Sequence, residues 1–88
     1  MPKFMGVHTL PPGGMTREQI CQFADAAQKD PVVKGYRSFC NLAEGKAVCI
    51  IEAPSKAHVA AWFLKMNMPT DSITEVELEG ERGVIRDA

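Results

Sequence analysis

The sequence predicts an α+β sandwich, and the order of its periodicities is the first reason. Two stretches repeat their apolar residues at helical spacing and four at strand spacing, in the order β-α-β-β-α-β. The breaks between them fall at turn-forming runs, Leu10-Pro11-Pro12-Gly13-Gly14 and Met68-Pro69-Thr70-Asp71. A short polar joint, Ala43-Glu44-Gly45-Lys46, connects the two middle strands as a hairpin. This is the split βαβ order of ferredoxin-like folds: a four-stranded antiparallel sheet with two helices on one face.

Each element has a local cause. Lys3–Thr9 forms the first strand and ends at the Pro-Pro-Gly-Gly turn. Thr16 with Gln19 three residues on is a capping box, and Met15 with Ile20 is placed for a hydrophobic staple. Ile20, Phe23, Ala24 and Ala27 make one apolar stripe on that helix. It stops at Asp30-Pro31, because proline disfavours the helical conformation of its predecessor. Strands follow at 35–41 and 47–52. Ser55 then caps a second helix that runs to Asn67, and 73–78 is the fourth strand. Residues 1–80 are expected as one domain and 81–88 as a C-terminal tail.

Length and charge limit the function. Eighty-eight residues hold one core, and so short a chain buries only about 60–65% of its unfolded surface, which favours oligomerisation. Hydrophobic residues are 45% of the chain, which excludes disorder. Ten basic against eleven acidic residues give a formal charge of −1, and a binder of nucleic acid or of a membrane surface needs a basic excess. Lys34-Gly35-Tyr36-Arg37-Ser38-Phe39 resembles the opening of an RNA-recognition signature. It sits on the second strand rather than the third, and Arg37 and Ser38 replace the small and aromatic residues. No nucleic acid and no membrane are therefore expected as partners. The N-terminal stretch reads as no export signal, so a cytoplasmic location is expected, with Cys21, Cys40 and Cys49 as reduced thiols.

Right-handed crossovers put strands one and three at the sheet centre, and side-chain alternation assigns their faces. Met5, Val7, Cys49 and Ile51 are expected to face the helices, which keeps His8 and Glu52 out of the core. Phe4, His8, Val48, Ile50 and Glu52 then lie on the open face. An apolar patch of that kind predicts a homodimer packed through the open sheet. In the second helix, Val59 to Leu64 are consecutive apolar residues, wider than one sheet needs. Trp62 either lines a ligand pocket there or caps the edge of the core.

His8 and Glu52 are the chemical candidates. An imidazole and a carboxylate suit a divalent metal, nickel or zinc, and equally suit a base with its orienting group. Antiparallel pairing sets them several residues apart, so they meet only in a favourable register or across a dimer. The expected ligand-binding residues are His8, Glu52, Phe4 and Trp62, with His8 and Glu52 as metal ligands. His58, in the first turn of the second helix, reads as a solvated surface residue. Cys49 reads as a small packing group, and nothing near Cys40 argues for an activated thiol.

The runs "PKFMGVH", "MTREQ", "GKAVCIIEAPS" and "MPTDSITEVE" together resemble the small nickel-binding protein family of ferredoxin-like dimers, from Pro2 to about Glu77. The strand-three run Cys49-Ile50-Ile51-Glu52-Ala53-Pro54-Ser55, with Met5 and His8, carries most of the resemblance. It implies a cytoplasmic dimeric αβ sandwich that holds a metal through histidines and acidic groups. The sequence departs from that pattern at Gly6, where an acidic or amide residue is usual. It departs again in both helices, where 22–25 and 62–67 carry no histidine. His8, Cys49 and Glu52 match. The expected function is a non-enzymatic small-ligand or divalent-metal-binding homodimer. A dimeric αβ-barrel enzyme with a His/Glu acid-base pair and a structural or regulatory dimer without chemistry are the alternatives.

Overall fold

The computed structural model describes residues 1–88. Its first six elements keep the expected order: β1 (Lys3–Thr9), α1 (Arg17–Lys29), β2 (Lys34–Asn41), β3 (Lys46–Glu52), α2 (Lys56–Lys65) and β4 (Ser72–Glu75). They form an antiparallel sheet of order β2-β3-β1-β4, with β1 and β3 at its centre. Both helices pack on one face. Phe23 and Ala27 from α1, with Val59, Trp62 and Phe63 from α2, join Phe4, Cys49 and Ile51 of the sheet in one core cluster.

The helix starts are where the caps put them. The Thr16 hydroxyl accepts from Gln19 N–H at 3.1 Å, and the Gln19 side chain accepts from Thr16 N–H at 2.8 Å. Such a cap contributes about 1 kcal/mol. Ser55 caps α2 in the same way, through His58 N–H.

Two features differ from the sequence expectation. The fourth strand covers Ser72–Glu75 only; Val76 N–H still donates to Lys3 O at 2.8 Å, and the chain then turns away from the sheet. The stretch expected as strand end and tail instead forms a second hairpin, β5 (Leu78–Glu81) and β6 (Val84–Asp87). Its turn residues Arg82 and Gly83 both have positive φ, 51° and 84°. That is the left-handed pair a tight two-residue hairpin turn requires.

The register corrects the face assignment of β1. Phe4 pairs with Ile51, Gly6 with Cys49 and His8 with Ala47, and all six are buried beneath the helices. Met5 pairs with Ile50 and Val7 with Val48, and these four are only half-buried. Phe4 and His8 therefore lie inside, while Met5 and Val7 lie on the open face. The reason is chemical: a neutral, hydrogen-bonded imidazole enters a core readily, so keeping His8 out is no guide to the face.

Candidate functional site

His8 stands near the end of β1 on the inner face, 1% exposed. The segment after α2 folds over it and is pinned at both ends. Met68 N–H donates to Phe63 O at 2.9 Å and Asp71 N–H to Val7 O at 2.7 Å. The Thr9 hydroxyl adds a bond to Asp71 at 2.6 Å. This sets the Pro69 carbonyl 2.8 Å from His8 Nδ1. A carbonyl only accepts, so Nδ1 carries the proton and the neutral ring leaves a lone pair on Nε2. That nitrogen is buried with no partner. Burial pushes the His8 pKa below its ordinary 6.5, and the Pro69 carbonyl and the Asp71 charge partly oppose the shift.

Phe63 covers the free nitrogen's side of the ring. Its centroid lies 4.6 Å from that of His8, at an interplanar angle of 79°. Gly6 makes the contact possible. A Cβ at that position would lie 2.6 and 2.7 Å from Phe63 ring carbons and 3.0 Å from His8 Nε2. Phe63 stacks in turn on Phe23 at 6.2 Å, and Phe23 tilts against Trp62 at 5.8 Å. A row of four rings therefore spans the layer between helices and sheet.

The outer side of Phe63 borders a groove of about 510 Å³ between α2 and the 68–73 segment. Ala60, Leu64, Met68 and Ile73 are its other apolar walls, with Lys56 and Asp71 at its rim. Leu64 is 80% exposed, so part of the broad apolar run of α2 does line a groove. Phe63 is thus a single wall, with an open groove on one side and the unpartnered nitrogen of His8 on the other.

The residues expected to bind ligand do not gather at this place. Glu52 pairs with Lys3, five residues along β1 from His8, or roughly 17 Å at the rise of a strand. Glu52 also sits on the opposite face of the sheet, so within one chain the two cannot form a metal pair or an acid-base pair. Phe4 is buried in the core cluster and borders no groove. Trp62 is buried and borders different grooves, beside Asp30 and Lys65, with its indole N–H unpartnered. His58 is exposed, with Nδ1 2.7 Å from the Ser55 hydroxyl. Cys49 is fully buried, and burial pushes its thiol pKa up. Sequence reasoning missed Phe63, Met68, Pro69 and Ile73. The Met68-Pro69 break directly after an apolar helix was the available signal.

The His8 tautomer is the one a ligating imidazole adopts, with its other nitrogen held by a carbonyl. Yet no three His, Cys, Asp or Glu side chains come together anywhere in the chain. A zinc or nickel site needs several such donors. Beside Nε2 stand a phenyl ring and a glycine. The residues of one chain do not fit a resident metal ion.

The comparisons with known proteins agree with the fold. The profile described as "Nickel responsive protein SCO4226-like" matches residues 4–76. The crystal structure of SCO4226 from Streptomyces coelicolor A3(2) is similar at 30% identity and a TM-score of 0.72, covering 89% of this chain and 99% of that one. No curated protein matches. This chain belongs to the SCO4226-like family of nickel responsive proteins.

Proposed function

We propose that this chain is a small-ligand-binding homodimer whose ligand occupies the α2 groove and turns Phe63 aside to reach His8 Nε2. The carrying observation is that orphan nitrogen: a buried acceptor without a partner, one ring away from an open apolar groove. A buried acceptor left unsatisfied costs about 1–3 kcal/mol, which a ligand's O–H or N–H would recover. The ligand class is accordingly a largely apolar molecule with one hydrogen-bond donor. Nickel responsiveness, which the family's name carries, does not reach this chain through His8 in this reading. The dimer is supported by the half-buried Met5, Val7, Val48 and Ile50 and the exposed Phe39 on the uncovered sheet. Three free thiols suit a cytoplasmic protein.

Two measurements on untagged protein test this. Fluorescence titration with 1-anilinonaphthalene-8-sulfonate should report a site that Leu64→Glu, an exposed groove substitution, abolishes. Elemental analysis should find nickel far below one per chain. Unchanged dye binding in Leu64→Glu would refute the groove. Near-stoichiometric nickel that disappears in His8→Ala would replace the organic ligand with a metal.

A further inference from the structure

The β5–β6 hairpin lies beyond residue 76, where the match to the family ends. It sits across one end of the open sheet face. Glu79 forms an ion pair with Lys3 and accepts from the Tyr36 hydroxyl at 2.8 Å, and Arg37 reaches Glu81 at 3.4 Å. Pairing of Leu78 with Asp87 and of Gly80 with Ile85 puts Leu78, Gly80 and Ile85 on the opposite side from these carboxylates. Leu78 is 54% exposed and Ile85 64%. A lone two-stranded hairpin is marginal in water, so an apolar side of this kind needs a surface to cover.

The open face is consequently a step. Its Lys3–Glu52 end carries the hairpin, and a groove of about 240 Å³ follows, bordered by Met5, Ile50 and Leu78. Phe39, 62% exposed, is a wall of that groove too, and from it a row continues through Val48 and Val7 across three strands. Glu79 and Glu81 are already matched to Lys3 and Arg37 of their own chain. Apart from Asp87 beside Leu78, the other side is apolar, which suits a largely apolar partner. The shape that fits a raised step beside an apolar recess is the same step turned over, a second copy about a two-fold axis.

We propose that in the homodimer each hairpin lies in the recess of the other copy, with Ile85 and Leu78 against Phe39 of the partner subunit. The inference rests on the dimer of the preceding section and adds the element that fixes how the two sheets engage. It makes the C-terminal hairpin an interaction device of this chain rather than a part of the shared domain.

The test is sedimentation velocity on the full chain and on Ile85→Glu, Phe39→Lys and their double variant. Both positions are exposed, and circular dichroism checks that each variant folds. Each single variant should weaken dimerisation by roughly 100-fold, since an unpaired charge is buried against an apolar surface. The double variant should recover much of that loss by pairing the two charges across the interface. A dimer unaffected by Ile85→Glu but broken by Val48→Glu would overturn the role of the hairpin and leave the sheet dimer standing. A wild-type monomer would remove the dimer reading and this inference with it.

Discussion

The two faces of the sheet are built from alternate residues of the same strands, yet they behave differently. On the inner face Phe4, Gly6, His8, Ala47, Cys49 and Ile51 are sealed by two helices. On the outer face Met5, Val7, Val48 and Ile50 are nearly as apolar and are left half-covered. Apolar character alone therefore does not say which face receives the helices. Size and shape do: the inner face has a glycine where a helix ring must enter and a polar group that the loop above it can satisfy.

The largest expected effect strikes the inner face. Phe63→Ala removes the central ring of the row and should lower unfolding free energy by about 3–5 kcal/mol in urea denaturation. An effect under 1 kcal/mol would mean that the ring is loosely held. Gly6→Ala should cost about 1–3 kcal/mol, because its Cβ meets the same ring at 2.6 Å. In the Phe63→Ala background that cost should disappear. A double-mutant cycle with no coupling would break the proposed dependence of one position on the other.

The next effect is one of pH. His8 is held neutral in the folded chain, with its pKa below 6.5, so the unfolded chain binds the proton more readily. Its contribution is fully present above about pH 6.5 and is lost as pH falls through the lower folded value, with a slope of at most about 1.4 kcal/mol per pH unit. His8→Gln should flatten that part of the stability profile. An unchanged slope would assign the acid sensitivity to carboxylates instead. The smallest effect belongs to the outer face. Val48→Thr should change monomer unfolding by less than about 0.5 kcal/mol, and a value approaching that of Gly6→Ala would mean that the two faces differ less than their burial suggests.

Much of this was legible in the residues. Thr16 and Gln19 announced α1, Ser55 announced α2, and Pro31 and Pro69 fall just after the two helices, because capping and proline sterics act within a few residues. The site was less legible. His8 was singled out, but its supposed partner Glu52 was not a neighbour, since register and face depend on residues far apart in the chain. Phe63 was read only as one of the broad apolar run from Val59 to Leu64, with nothing to single it out from Trp62 or Leu64. The β5–β6 hairpin was missed because Arg82-Gly83 is a less familiar turn pair than Asn-Gly, although the strand alternation on both sides of it was present.

The sequence by itself determined the order of elements, the helix caps, the central position of β1 and β3, and the family. Those properties follow from short-range sterics, periodicity and the handedness of crossovers. Only the tertiary structure decided that His8 faces inward with one nitrogen satisfied and one bare, that Phe63 stands between it and a groove, and that the last residues lie across the open sheet. Each of these depends on which side of a strand meets a helix, and alternation with period two leaves both choices open until the packing selects one.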